Sequence, residues 1–132
     1  MVSPPLISVI DDNDAVRESL KGLIRSVGFA VEVFPSAERF LSSDQLDDTQ
    51  CLILDVRMPG MGGPELQRRL VRSNRDIPII FITAHGNEAA RSQALKDGAA
   101  DYLFKPFSEQ ALLNAINAAL GFEMSKQPSR KG

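Results

Sequence analysis

The chain has 132 residues, of which 43% are hydrophobic and 24% are charged, and its formal net charge is −2. This length fits a single domain with one buried core, and the near-neutral charge gives no overall reason to expect binding to nucleic acid or to a membrane. No apolar run reaches about 20 residues, the length of a membrane helix, and the N-terminus lacks the pattern of a signal peptide, so we expect a cytoplasmic protein.

Short apolar runs alternate with segments of helical periodicity along the chain. The apolar runs are predicted to be strands, at residues 6–10, 30–34, 51–54, 79–82 and 102–104. The periodic segments are predicted to be helices, at residues 16–27, 36–41, 64–70, 87–97 and 108–120. Ser36 and Ser108 are typical N-cap residues, and Gly28 and Gly98 are typical helix ends. The single cysteine, Cys51, excludes an internal disulfide and is predicted to be an inert core thiol.

Strand and helix follow one another five times, which favours an α/β fold. The strands are apolar throughout rather than alternating, and this is typical of a parallel sheet that helices cover on both faces. In such sheets, functional sites gather at the carboxyl ends of the strands. We expect residues 6–121 to form this domain, residues 1–5 to be a flexible N-terminus and residues 122–132 to be a linker-like tail.

Acidic residues follow two of the predicted strands. Asp11 and Asp12 come directly after the first strand, and Asp55 comes directly after the third. Because parallel strands end at one edge of the sheet, we expect the three carboxylates to lie close together. Neighbouring carboxylates raise one another's pKa unless a cation is present, and Mg²⁺ is a cation that favours oxygen ligands.

A hydroxyl group and an ammonium group belong to the same edge. The fourth strand ends at Thr83, and Lys105 follows the fifth strand as a positive charge suited to a phosphate. Together with the acids, these groups can place a phosphoryl group on a carboxylate that acts as the nucleophile. The metal ion and Lys105 would neutralise the charge of the transferring group.

Each of these residues has a simpler interpretation by itself. Asp11 and Asp12 could mark the start of a helix, and Asp55 could begin a turn before a Pro-Gly pair. Thr83 and Lys105 belong to residue types that are common in strands and on surfaces. Their shared position at the ends of strands is what favours a functional site.

Four segments, VIDDND, LILDVRMPGMGG, FITAHG and DYLFKPF, resemble the signature segments of response regulator receiver domains, in the family's order and spacing. The resemblance covers residues 6–120. It implies a flavodoxin-like, doubly wound (βα)5 fold with a five-stranded parallel sheet in the strand order 2-1-3-4-5. The run LDVRMPGM is also similar to the FixJ-like regulators, whose receivers usually precede a helix-turn-helix DNA-binding domain.

The resemblance implies a role for each residue of the site. Asp55 would accept a phosphoryl group from the phosphohistidine of a sensor histidine kinase. Asp12, Asp55 and the backbone carbonyl of Arg57 would bind Mg²⁺ directly, and Asp11 would act mainly through a bound water. Lys105 would pair with the phosphate.

The resemblance also implies a conformational switch. Thr83 would turn inward to hydrogen-bond a phosphate oxygen, and Tyr102 would follow by moving from an exposed to a buried rotamer. The peptide bond before Pro106 would be cis, which costs little for an X-Pro bond. The readout surface would span residues 87–120, and phosphorylation would favour a homodimer through it. We expect His85, the only histidine, to be a solvated surface residue.

Three functions remain open. The first is a regulatory receiver that controls transcription through a DNA-binding domain outside this chain, while the receiver itself contacts neither nucleic acid nor a membrane. The second is a stand-alone receiver that shuttles phosphoryl groups or binds partner proteins. The third is a phosphatase of the haloacid dehalogenase type, which needs a second acid where this chain has Arg57. Arg57 disfavours the phosphatase, and an FMN carrier is disfavoured because no Ser/Thr-rich loop follows the first strand. We therefore expect a phospho-acceptor that catalyses its own phosphorylation and dephosphorylation rather than a turnover enzyme.

Overall fold

The computed structural model describes residues 3–122, in which five strands and five helices alternate. The strands are β1 (Leu6–Ile10), β2 (Ala30–Phe34), β3 (Thr49–Asp55), β4 (Ile79–Thr83) and β5 (Asp101–Phe104). The helices are α1 (Asp14–Ser26), α2 (Ala37–Leu41), α3 (Gly63–Arg72), α4 (Glu88–Lys96) and α5 (Glu109–Ala119). Of the chain ends that were predicted to be flexible, residues 1–2 and 123–132 lie outside the described residues.

The five strands are all parallel and lie in the order β2-β1-β3-β4-β5, which confirms the predicted fold and strand order. Helices α1 and α5 pack on one face of the sheet, and helices α2, α3 and α4 pack on the other. None of the helices between residues 3 and 122 has the length and apolarity needed to cross a membrane.

Each face of the sheet carries its own hydrophobic core. Successive residues of β3 alternate between the two cores: Cys51 and Ile53 face α1 and α5, and Leu52 and Leu54 face the other helices. All four side chains are fully buried, which explains why this strand is apolar throughout. Burial raises the pKa of the Cys51 thiol to about 12, so this cysteine is the inert core residue that was predicted.

Local sequence signals set the ends of the helices. Asn13, Ser36, Asn87 and Ser108 are N-caps whose side-chain oxygens accept the N–H three residues further on. Gly28 follows α1 with a φ of 101°, a left-handed conformation that glycine adopts without strain. The predicted serine caps and this helix end are confirmed. Helix α1 begins at Asp14, before the first apolar residue of the helical pattern, because Asn13 is its cap.

Candidate functional site

The strand register brings the predicted site residues to one edge of the sheet. The pairing of β1 with β3 places Asp11 beside Asp55, and Asp12 follows at the start of the next turn. At the end of β4, the backbone carbonyl of Thr83 accepts the N–H of Lys105 at 2.8 Å. The five residues therefore share the carboxyl edge of neighbouring strands, as expected for a parallel sheet.

The three carboxylates form a group that we call the acidic cluster: Asp11, Asp12 and Asp55. One carboxylate oxygen from each residue lies within 4.8 Å of the other two. Asp11 and Asp55 are buried, at 1% and 7% exposure, whereas Asp12 is exposed. Three carboxylate oxygens at such separations, two of them withdrawn from water, are a donor set that fits a hard divalent cation such as Mg²⁺.

The electrostatics of the acidic cluster are unfavourable for the protein alone. Burial raises the pKa of Asp55 to about 6, the negative charge of Asp11 adds to the increase, and Lys105 acts in the opposite direction. A divalent cation in the cluster would relieve this repulsion. Asp55 nevertheless remains mostly ionised at neutral pH, as a nucleophilic carboxylate must be.

Asp11 is held in place by contacts to its side chain. Its Oδ2 lies 3.2 Å from Nζ of Lys105 in an ion pair, and its Oδ1 accepts the N–H of Asn13 at 2.9 Å. The Lys105–Pro106 peptide bond is cis, the isomer that the resemblance implies. The ion pair places a positive charge at the border of the acidic cluster.

Thr83 is buried at the neighbouring strand end. It is 1% exposed, and its Oγ1 accepts the N–H of His85 at 3.1 Å. The N–H of Arg57 donates to Oδ1 of Asp55 at 3.4 Å. The side chains of Arg57 and His85 are both exposed, and His85 is the surface residue that was expected. Because Thr83 only accepts in this contact, the hydrogen of its hydroxyl remains available to donate to a further acceptor.

Tyr102 lies in a buried position, the one into which the resemblance implies that it moves. The side chain is 4% exposed, and its ring packs against Phe81 and Phe104 at centroid distances of 5.8 and 5.4 Å. Gly86 leaves room for this rotamer, because a Cβ at that position would lie 2.8 Å from the hydroxyl. Burial raises the pKa of Tyr102, and its hydroxyl makes no hydrogen bond within residues 3–122.

Two residues that the sequence did not single out hold the loops of the site. Nη1 of Arg17 in α1 donates to the backbone carbonyl of Asp11 at 2.7 Å. Oε2 of Glu38 in α2 accepts the N–H of Met61 in the loop after β3 at 3.0 Å. Gly60 permits this approach, since a Cβ there would lie 2.7 Å from the same oxygen. Neither contact has a signal in the sequence, because both depend on how the loops fold back onto the helices.

Known proteins share this fold. The sequence profile of the response regulator receiver domain matches residues 7–117. The response regulator protein TodT of Pseudomonas putida is 49% identical over 115 residues, which cover 87% of this chain and 51% of TodT. The transcriptional regulatory protein FixJ of Azorhizobium caulinodans is 44% identical over 115 residues, which cover 87% of this chain and 54% of FixJ. The crystal structure of FixJ-N superposes with a TM-score of 0.80 at 36% identity, covering 96% of this chain and 100% of FixJ-N.

The matches cover most of this chain but only part of each curated relative. The chain spans about half the length of the curated relatives that it matches. In this chain, the matched part forms the parallel sheet in the order β2-β1-β3-β4-β5, with the acidic cluster at its carboxyl edge. The chain therefore belongs to the receiver domains of two-component response regulators, which are regulatory signalling domains and not turnover enzymes.

Proposed function

We propose that Asp55 accepts a phosphoryl group from the phosphohistidine of a sensor histidine kinase. The observation that carries this proposal is the acidic cluster, in which Asp55 is 7% exposed beside Asp11, while Lys105 is paired with Asp11 at 3.2 Å. A nucleophilic carboxylate that lies close to further acids and to an ammonium group suits the formation of an acyl phosphate.

In the proposed reaction, a carboxylate oxygen of Asp55 attacks the phosphorus atom of the phosphohistidine. The new O–P bond forms while the P–N bond breaks, and the imidazole nitrogen keeps the electron pair and takes up a proton. Lys105 would neutralise charge on the transferred group, and the hydroxyl of Thr83 would donate to one of its oxygens. With a pKa of about 6, Asp55 is still mostly ionised at neutral pH, so the raised pKa is compatible with its role as the nucleophile.

The acidic cluster would hold Mg²⁺ for this reaction. Asp12, Asp55 and the backbone carbonyl of Arg57 would bind it directly, and Asp11 would act through a bound water. When bound, the cation would supply positive charge that offsets the charge of the phosphoryl oxygens. The raised pKa of Asp55 supports this assignment, because crowded acids gain most from a cation.

A hollow beside the site would receive the kinase. It has a volume of about 420 Å³ and lies between α1 and the loop after β5. Its lining consists of Ala15, Val16, Ser19, Leu20, Lys105, Pro106 and Phe107. Because apolar side chains form most of this lining and Lys105 of the site borders it, a kinase helix would pack here and present its phosphohistidine to the site.

Phosphorylation would then act on the face formed by residues 87–120, through Thr83 and Tyr102, and favour a homodimer. In support of this, Ala94 is the one buried residue of α4, so this helix can move at low cost. We further propose that the output is control of transcription by a DNA-binding domain, because FixJ is a transcriptional regulatory protein. A stand-alone receiver that acts as a phosphoryl shuttle is the alternative.

The decisive test is phosphorylation by acetyl phosphate, followed by intact mass measurement. The wild-type protein should gain one phosphoryl group, and only in the presence of Mg²⁺. Asp55→Asn should gain none. Asp76→Asn, an exposed aspartate before β4, is the matched control and should behave as the wild-type protein does.

Two further outcomes would change the proposal. A phosphoryl group that Asp55→Asn still accepts would place the acceptor elsewhere. Failure of the wild-type protein with acetyl phosphate, with a phosphorylated kinase and with beryllofluoride would leave partner binding as the function. Sedimentation with beryllofluoride tests the homodimer, since the wild-type protein should dimerise and Asp55→Asn should stay monomeric.

A further inference from the structure

The side chain of Arg17 joins α1 to the turn that carries Asp11 and Asp12. Its Nη1 donates to the backbone carbonyl of Asp11 at 2.7 Å, and its Nη2 pairs with the carboxylate of Asp14 at the start of α1. The side chain is 14% exposed. A single guanidinium group therefore connects both ends of the turn.

We propose that Arg17 is a positioning residue for the cation site, an inference that rests on the proposed function. Arg17 holds the turn after β1 in the conformation in which Asp11 and Asp12 share the acidic cluster with Asp55. It does not touch the cation or the phosphoryl group, and it acts through the backbone of Asp11.

The carbonyl of Asp11 needs the donor that Arg17 provides. Asp11 is 1% exposed, and its N–H donates to the carbonyl of Phe34 at 3.2 Å as the last link to β2. Within residues 3–122, the contact from Arg17 is the hydrogen bond that the carbonyl of Asp11 receives. A buried carbonyl without a donor is unfavourable, so the turn would rearrange if Arg17 were lost. A lysine would supply the charge without the planar fork that reaches two acceptors.

The contact from Arg17 is also the one that the proposed reaction leaves in place. The carboxylate of Asp11 is bonded to Lys105 at 3.2 Å and to the N–H of Asn13 at 2.9 Å. Lys105 would pair with the phosphoryl group and thereby weaken its bond to Asp11. The bond from Arg17 to the backbone carbonyl does not involve that carboxylate, so it holds the turn before and after phosphorylation.

Arg17 could affect the site through its positive charge or by holding the turn. These two roles predict opposite changes in Mg²⁺ affinity when Arg17 is removed. Arg17 is a positive charge close to the acidic cluster, so by electrostatics alone its removal would strengthen the binding of a divalent cation. Loss of positioning has the opposite effect, because the acids of the turn would no longer be held together in one arrangement.

The test is a Mg²⁺ titration without any phosphodonor, followed by the amide chemical shifts of residues 11–13. Arg17→Ala should bind Mg²⁺ about tenfold more weakly, the usual cost of removing a group that orients a metal ligand. Arg17→Lys should also bind more weakly, by a smaller factor. Arg25→Ala is the matched control, because it also removes one arginine charge from the same helix, at an exposed position in the last turn. It should stay within about twofold of the wild-type protein.

Three outcomes would overturn the proposal. Mg²⁺ binding by Arg17→Ala that equals or exceeds that of Arg25→Ala overturns it, and the proposed function stands if Asp55 of the wild-type protein still takes up phosphoryl groups. If Arg17→Ala does not fold, wild-type affinity in Arg17→Lys overturns it. A wild-type protein that binds no Mg²⁺ overturns both this proposal and the cation site of the proposed function.

Discussion

The turn after β1 and the helix α4 lie near the same edge of the sheet, but contacts of different kinds hold them. In the turn, the carbonyl and both carboxylate oxygens of Asp11 accept hydrogen bonds, from Arg17, Asn13 and Lys105. In α4, by contrast, Ala94 is the one residue with a buried side chain. The turn is thus tied by polar contacts at several points, whereas α4 rests on the core through a single small residue.

Gln67 provides a further attachment of α4. It is 3% exposed, and its Nε2 donates at 3.3 Å to the carbonyl of Ala94, which also accepts the N–H of Ala99 at 3.0 Å. A hollow of about 190 Å³ between α3 and α4 reaches Phe81 and Tyr102. Sparse packing next to open space lets a helix shift at low cost. This difference indicates that the carboxylates of the turn are held in one arrangement, whereas α4 can shift when the site changes.

The largest effect on the free energy of unfolding is expected at Gly63, where the loop after Asp55 meets α3. A Cβ on Gly63 would lie 2.7 Å from the carbonyl oxygen of Asp55 and 2.9 Å from Cε1 of Phe81. Because a backbone atom cannot move aside as a flexible side chain can, Gly63→Ala should lower the free energy of unfolding by about 3 kcal/mol in urea. The control is Gly62→Ala, whose Cβ would have its nearest neighbour at 3.4 Å and which should cost only about 1 kcal/mol, from the loss of a glycine N-cap. Equal losses would show that this loop is not rigid.

The second largest effect on the free energy of unfolding is expected from the charge of Asp55 in the acidic cluster. The pKa of Asp55 in the folded protein is about 6, above its ordinary value of 3.8, so the folded state binds the proton more tightly than the unfolded state does. The stability that this proton contributes is fully present below pH 3.8 and is lost as the pH rises through about 6. Without Mg²⁺, Asp55→Asn should therefore be more stable than the wild-type protein at pH 7.5, by about 1–2 kcal/mol.

Urea unfolding at a series of pH values measures this difference. The advantage of Asp55→Asn should shrink as the pH falls through 6 and vanish near pH 4, whereas Asp76→Asn should show no such trend. Addition of Mg²⁺ should stabilise the wild-type protein more than Asp55→Asn. A constant difference at every pH would contradict the electrostatic account of the acidic cluster.

A smaller effect is expected beside α4, where the obstructing atoms are the ends of side chains. A Cβ on Gly86 would lie 2.6 Å from Cγ2 of Thr83 and 2.8 Å from the hydroxyl of Tyr102. Gly86→Ala should therefore displace Tyr102 outward at a cost of about 1–2 kcal/mol. Burial raises the pKa of Tyr102, so exposure should lower that pKa towards its ordinary value. Alkaline absorbance titration reports this directly, because the chain has one tyrosine and no tryptophan.

The control for the displacement of Tyr102 is Gly22→Ala in α1, where a Cβ would meet no atom within 4 Å. That variant should gain up to about 1 kcal/mol of stability from helix propensity and leave the tyrosine titration unchanged. If Gly86→Ala titrates as the wild-type protein does, the packing around residue 86 is not what keeps Tyr102 inside.

The smallest effect on overall stability is expected for Gln67→Leu. The carbonyl of Ala94 would keep the N–H of Ala99 as its donor, so the loss should stay below about 1 kcal/mol. Hydrogen exchange of the α4 amides should nevertheless become faster, because α4 loses its polar link to α3. Gln110→Leu, the same change at an exposed position of α5, should leave α4 unaffected. Unchanged exchange in α4 would show that Gln67 does not restrain this helix.

Much of the fold could be predicted because its signals are local. The apolar run of β3, the caps Ser36 and Ser108 and the helix end at Gly28 act on residues close in the chain. The membership of Asp55 in a shared site followed from one rule, that parallel strands end at a common edge. The apolar pattern alone does not mark the first residue of a helix, since the pattern of α1 starts after its cap at Asn13.

The sequence by itself determined which chemical groups stand at the strand ends, because hydrophobic periodicity and capping are properties of neighbouring residues. Only the tertiary structure decided that Arg17 bonds the carbonyl of Asp11, that Glu38 bonds the loop after β3, and that Tyr102 lies inside. These features depend on how a turn closes onto a helix, or on packing between segments far apart in the chain. No local pattern encodes such contacts, because their free energy exists only when the whole sheet and its helices are assembled.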